Sequence, residues 1–201
     1  MPASRCCGRA EVRNWMANTY ALVAHPDFPN GPIDAITVTI ERQANRLVVR
    51  FEVSGAIEDV LWPGDRIDCA LDAKEADERR ADELWRHSCF EAFVAPADAA
   101  DYREFNLATS GKWAAYAFDT YRVGMRKAGD VRLIEAHWRF DSRRADIRIA
   151  IELPYAEPDW ALAVTAIVEA RDGAKSYWAL AHAPGAPDFH NRDTFVVTLP
   201  A

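Results

Sequence analysis

Apolar and polar residues alternate along much of this chain with a period of two. Ile36, Val38 and Ile40 alternate with polar neighbours, and the same pattern returns over 47–53 and 147–153. Because successive side chains of a β-strand point to opposite faces of its sheet, this pattern predicts half-buried strands. Eight shorter stretches have the same character: 20–24, 89–95, 103–108, 112–121, 133–140, 162–170, 176–180 and 194–199. Clusters of Gly, Pro, Asp and Asn separate them and predict turns.

About eleven short strands at roughly even spacing predict an all-β protein, an antiparallel β-sandwich. The chain lacks the helix-length amphipathic segments that connect the strands of α/β proteins. The charged segment 72–85 is an exception, since Asp72 and Glu75 form a capping-box pattern, and we expect one short surface helix there. The 201 residues show no internal repeat and no linker, so we expect one domain over 16–201 after a disordered lead over 1–15.

Composition narrows the classes of partner and compartment. A net charge of −7 argues against nucleic acid or an anionic membrane as the partner. The longest apolar run, 160–168, is far too short for a membrane-spanning helix. The N-terminal segment has no apolar stretch of the kind that secretion signals carry. We therefore expect a cytoplasmic protein whose four cysteines are reduced thiols.

The chain has more tryptophan than the core of a small domain needs, so we expect some of these side chains to face a ligand. They are Trp15, Trp62, Trp85, Trp113, Trp138, Trp160 and Trp178. The densest polar chemistry lies on two neighbouring predicted strands, where Glu91 and Glu104 fall at mid-strand positions. A buried carboxylate has to be paired or hydrogen-bonded, and Arg103 and Lys112 stand close in sequence. The alternative is that both carboxylates lie on a solvated outer face.

Carboxylates, donors and an indole together are typical of a sugar-binding site. The C–H face of a sugar ring packs on the aromatic ring, and its hydroxyls bond to the charged groups. Such a site predicts a cleft with an aromatic wall and polar side chains beside it.

Three blocks of the sequence together resemble a known family. They are Trp85 followed six residues later by Glu91 in the strand Glu-Ala-Phe-Val-Ala-Pro, the segment 102–116, and the segment 176–191. As a set they are similar to the bacterial DOMON-like proteins, which are related to family 9 carbohydrate-binding modules. The resemblance covers roughly 18–200. It implies a jelly-roll-like β-sandwich in a superfamily that binds sugars or haem.

In the sugar-binding relatives, two tryptophans clamp the terminal sugar while a Glu, a basic residue and an Asn bond its hydroxyls. The resemblance implies that Trp85 and Trp178 form the clamp and that Glu91 is the glutamate. The residue pattern and the resemblance together indicate one set of candidate ligand-binding residues. They are Trp85, Glu91, Arg103, Glu104, Asn106, Lys112, Trp113 and Trp178. The C-terminal block departs from the sugar binders in having His182, His190 and Asn191.

Other functions stay open at this point. The haem branch of the superfamily uses an axial Met with His or Lys, which makes Met125 a candidate. Its candidate histidine partners are His87, His137, His182 and His190. A glycosidase would use Glu91 and Glu104 as its carboxylate pair. A protein-interaction sandwich would have an exposed apolar patch and no pocket.

A structural calcium ion is a further alternative, with Asp65, Asp68 and Asp72 as its ligands. The function that the sequence favours is non-catalytic binding of a small molecule, a saccharide, without a cofactor. The sequence predicts neither the identity of the sugar nor the oligomeric state.

Overall fold

A computed structural model describes residues 18–28, 31–64 and 69–201. The predicted disordered lead over 1–15 lies outside the described residues. The described chain contains thirteen strands: β1 Asn18–Ala24, β2 Ile33–Gln43, β3 Arg46–Gly55, β4 Cys69–Asp72, β5 Cys89–Pro96, β6 Tyr102–Leu107, β7 Trp113–Phe118, β8 Arg126–Lys127, β9 Arg132–Phe140, β10 Arg144–Glu152, β11 Trp160–Glu169, β12 Lys175–Ala179 and β13 Val197–Leu199. One α-helix, α1 Ala73–Asp77, and 3-10 turns at Ile57–Asp59, Leu84–Arg86 and Arg192–Thr194 complete the described elements.

The prediction of an all-β protein is confirmed. Each of the eleven predicted stretches overlaps one of these strands. The two further strands, β4 and β8, have four and two residues, too few for an alternating pattern to be recognised.

The strands pair antiparallel in one continuous sheet that is bent into two layers. The first layer has the order β4-β9-β10-β3-β2-β1 and the second β12-β11-β5-β6-β7-β8, with β13 on the side of β11. Strand β1 joins the layers, since Asn18 to Leu22 pair with β2 whereas Val23 and Ala24 pair with β12. The inner faces of the two layers pack together and form the main core, as when Phe51 contacts Phe90 at 4.9 Å between ring centroids.

A second apolar cluster covers the outer face of the second layer. It includes Phe93, Tyr102 and Phe118 on the strands, and Phe189 and Phe195 on the C-terminal segment that crosses them. Both faces of β5 and β7 are therefore buried, and every residue of β7 is buried. This second cluster surrounds the cavity described below.

The predicted helix over 72–85 is shorter than expected. Its start is as predicted, because the Asp72 carboxylate accepts hydrogen bonds from the backbone N–H of Lys74 and Glu75 at 2.9 and 3.0 Å. The helix ends after five residues, because the following backbone pairs with the sheet. Arg79 O accepts from Trp113 N–H at 3.2 Å, so its carbonyl is committed to β7. Within the described ranges, no helix is long and apolar enough to cross a membrane.

Candidate ligand-binding cavity

A cavity of about 330 Å³ lies on the outer face of the second layer, under the C-terminal segment. Its lining combines aromatic rings with a few charged side chains: Trp85, Glu91, Phe93, Glu104, Phe118, Arg122, Met125, Ile167, Tyr177, Pro187, Phe189 and His190. This volume is at the lower end of the range for small-molecule sites, about 300–1,000 Å³, and the mixture of apolar walls and few polar groups is typical of them.

A wider groove of about 490 Å³ lies on the outer face of the first layer. It is lined mostly by polar and charged side chains, some of which already pair with one another, such as Arg50 with Asp146. This is the pattern of a solvated sheet face rather than of a built site. We therefore place the candidate site in the smaller cavity.

Aromatic walls are supplied by Trp85 and Tyr177. Trp85 lies on the 3-10 turn Leu84–Arg86 and packs edge-on against Tyr116, with 5.6 Å between ring centroids. Tyr177 points to the same side from β12 and contacts Phe28 at 4.9 Å. Both rings are only partly buried, so each presents apolar surface to the cavity.

Two buried carboxyl groups form the polar floor. Strand register places Glu91 opposite Asn106, so Glu104 is its diagonal neighbour on the same face. The two residues are 2% and 4% exposed. Thr165 donates to Glu91 Oε2 at 2.9 Å, and Asn106 donates to Glu104 Oε1 at 2.6 Å.

Burial raises the pKa of both carboxyl groups, because the charged form loses its hydration. The negative charge of Glu104 raises the pKa of Glu91 further, while the hydrogen bonds from Thr165 and Asn106 oppose these shifts. The pair therefore holds protons at a pH where exposed glutamates are ionised.

His190 closes one side of the cavity as a neutral ring. Tyr102 Oη accepts from the backbone N–H of Arg122 at 3.3 Å and lies 2.8 Å from His190 Nδ1. We assign the one hydrogen of this hydroxyl to a bond donated to Nδ1, which places the ring proton on Nε2, 3.8 Å from Glu104 Oε2. Burial, assisted by the charge of Arg122, lowers the pKa of His190 to about 4.

Arg122 stands at the mouth of the cavity. Its backbone has φ 56°, in the left-handed region, at the turn between β7 and β8. Its guanidinium donates to Asp188 Oδ1 at 2.8 Å, and the Tyr121 hydroxyl donates to Asp188 Oδ2 at 2.6 Å. These two hydrogen bonds connect the turn between β7 and β8 to the C-terminal segment across the opening of the cavity.

Three of the predicted site residues, Trp85, Glu91 and Glu104, line the cavity together. A fourth, Asn106, is fully buried opposite Glu91 on the neighbouring strand and donates a hydrogen bond to Glu104. The structure thus brings together four of the residues from which the sequence predicted a sugar site: the two carboxyl groups, the amide and one of the two tryptophans.

The other four predicted site residues lie outside the cavity, and their positions correct the expectation of a single cluster. Trp113 and Trp178 belong to the main core, at 0% and 3% exposure. Arg103 is on the opposite face of β6 from Glu104 and pairs with Asp130 at 2.7 Å. Lys112 is exposed in the turn before β7. Arg103 and Lys112 were candidates because they are close in sequence to the two glutamates, but Arg103 falls on the other face of its strand and Lys112 falls beyond a strand end. Trp178 was a candidate because of the resemblance.

Several lining residues were not predicted from the sequence. Phe93 shares a face with Glu91, as the alternation along this strand indicates. Tyr177 is the neighbour of Trp178 and takes the place in the cavity that the resemblance gave to the tryptophan. Arg122 and His190 come from connecting segments, where no periodic pattern indicates which side chains converge.

Haem and structural calcium are the two alternative bound groups that the sequence left open. Met125 and His190 line the same cavity, but His190 Nδ1 is hydrogen-bonded to Tyr102 and Nε2 faces Glu104, so this arrangement does not fit axial ligation of haem. For calcium, Asp72 caps α1, whereas Asp65 and Asp68 lie outside the described residues. Over the described ranges, no group of three or more His, Cys, Asp or Glu side chains is arranged to hold a metal ion.

Comparison with known proteins identifies the fold. No family model matches the chain, and no curated protein matches its sequence. A "putative carbohydrate-binding protein" from Bacteroides uniformis ATCC 8492 superposes with a TM-score of 0.53 at 13% identity, over 89% of this chain and 84% of that one. A family 9 carbohydrate-binding module from Caldicellulosiruptor kristjanssonii, solved with cellotriose, gives 0.50 at 10% identity, over 84% and 75%. The chain therefore has a fold like that of family 9 carbohydrate-binding modules.

Proposed function

We propose that this protein binds a saccharide, without cleaving it, in the cavity on the outer face of the second layer. The observation that carries the proposal is the convergence of Trp85, Glu91 and Glu104 on one concavity. The fold likeness to a module solved with cellotriose supports it, as does the resemblance of the sequence to DOMON-like proteins.

The walls and the floor of the cavity suit the two kinds of surface on a sugar. Trp85 and Tyr177 offer ring faces for the C–H side of a pyranose. Glu91 and Glu104 accept hydrogen bonds, and the Nε2–H of His190 donates one, which matches hydroxyl groups that both donate and accept. Because these polar groups are held by Thr165 and Asn106, little ordering is needed when a ligand enters.

We expect Trp85→Ala or Tyr177→Ala to weaken saccharide binding by about tenfold or more, because each removes an aromatic wall. Isothermal titration of the full chain with cellotriose and a panel of other neutral and charged oligosaccharides measures this. Leu61→Ala is a suitable control, since Leu61 is an exposed apolar side chain away from the cavity and its loss should leave affinity unchanged.

Absence of heat with every saccharide in the panel would contradict the proposal. The catalytic alternative makes a different prediction, namely new reducing ends in the titrated samples that disappear in Glu91→Gln. The protein-interaction alternative predicts that neither the wild type nor Trp85→Ala gives a heat of binding with any saccharide.

A further inference from the structure

Within the part of the chain that the structure describes, neither carboxyl group of the cavity forms an ion pair with Lys or Arg. Their hydrogen-bond donors, Thr165 and Asn106, are neutral. Each donor occupies one carboxyl oxygen. Among the described residues, no hydrogen bond reaches Glu91 Oε1, and the group nearest to Glu104 Oε2 is the His190 ring at 3.8 Å. Both glutamates line the cavity, so these two oxygens are the acceptors that a ligand would meet.

The surroundings supply little positive charge to the pair: the Arg122 guanidinium lowers the pKa of Glu104, but burial outweighs it and the pKa stays raised. Among the described residues that line the cavity, Arg122 is the one permanently charged cation, and its guanidinium is already paired with Asp188. The polar groups facing the pair from the packed elements are Cys89 of β5, Tyr102 and Asn106 of β6, Tyr116 of β7, Thr165 of β11, Arg122, Asp188 and His190. Apart from Arg122, all of them are neutral or acidic near neutral pH.

A buried carboxyl pair in such surroundings can be stabilised in two ways. It can retain a proton, or it can receive a cation from outside. A neutral hydroxyl offers one hydrogen and no charge. An ammonium group offers three hydrogens and one positive charge, and its bonds to carboxylate are short and about twice as strong as neutral ones.

We propose that the cavity selects saccharides with a free amino group, whose ammonium binds between Glu91 Oε1 and Glu104 Oε2. This selectivity rests on the proposed saccharide binding and specifies its ligand class. The sugar ring then packs against Trp85 and Tyr177, and the ammonium replaces the retained proton as the partner of the carboxylates. N-acetylation of the amine removes the charge and two of the three donors, so it removes the advantage.

Three β-1,4-linked trisaccharides that differ only at C2 test the selectivity: cellotriose, its 2-amino counterpart and its 2-acetamido counterpart. Isothermal titration of the full wild-type chain should give an affinity about 10- to 100-fold higher for the amino sugar than for the other two. Titration in two buffers of different ionisation enthalpy should show proton release with the amino sugar alone. Below the pH at which the amine loses its proton, raising the pH should strengthen this binding, because fewer protons have to leave the pair.

Glu91→Gln keeps the shape of the side chain and an acceptor for Thr165 but removes the charge, so it should bring the three affinities close to parity. Glu52→Gln, on the outer face of the first layer, is the matched control and should preserve the preference. Equal wild-type affinities for the amino sugar and cellotriose would overturn the selectivity while leaving saccharide binding intact. No binding of any of the three, nor of the wider panel, would overturn both proposals.

Discussion

Replacing Trp113 by alanine is expected to lower the free energy of unfolding by about 3–5 kcal/mol, whereas Trp85→Ala should cost much less. Trp113 is fully buried between the layers, its indole N–H donates to Ala76 O at 2.6 Å, and the Arg80 guanidinium lies 3.9 Å from its ring centroid. Its removal leaves a cavity and takes one hydrogen bond from Ala76 O, which still accepts from the backbone N–H of Arg79 at 2.9 Å. Trp85 is only partly buried, on the wall of an existing cavity.

Urea unfolding followed by circular dichroism measures both variants. Equal losses of stability in Trp85→Ala and Trp113→Ala would contradict the division of the tryptophans into structural and ligand-facing side chains. Trp178→Ala should behave like Trp113→Ala, since Trp178 also lies in the main core.

The second large effect concerns pH. The pKa values of Glu91 and Glu104 are raised in the folded state. At a pH between the ordinary pKa of glutamate and these raised values, the native protein therefore binds more protons than the unfolded chain. Stability therefore falls as the pH rises through that interval. His190 has the opposite effect below about pH 6.5, because its lowered pKa makes the unfolded chain bind the extra proton there. The decrease in stability from the carboxyl pair should thus be clearest from about pH 6.5 to about pH 8.

In the double variant Glu91→Gln/Glu104→Gln, the free energy of unfolding should fall much less over this pH interval. At the alkaline end of the interval it should be more stable than the wild type, because glutamine has no charge to bury. Urea unfolding over a pH series measures the slope for both proteins. An identical slope in the wild type and the double variant would contradict the assignment of the effect to the pair.

The strands and the main core were predictable because one face of each strand is buried against the other layer. Period-two alternation records that burial, and the structure agrees with it in placing Glu91 and Glu104 on the faces opposite Phe90 and Phe105. The length of α1 was not predictable, since its end is set by hydrogen bonds to Trp113, far along the chain.

The site was only partly predictable, for two physical reasons. A one-residue difference decides which face of a strand a side chain occupies, and in β12 it is Tyr177 rather than Trp178 that faces the cavity. Arg122 and His190 are brought to the cavity by segments without a repeating pattern, through contacts with Asp188 and Tyr102 that only the fold creates.

The central claim is that a saccharide binds in this cavity, and a crystal structure of the protein with the tightest-binding saccharide of the panel tests it most directly. We predict a sugar ring against Trp85, with polar atoms within about 3 Å of the Glu91 and Glu104 carboxyl oxygens. A saccharide bound instead in the groove beside Arg50 and Asp146 on the first layer, with the cavity empty, would contradict the claim.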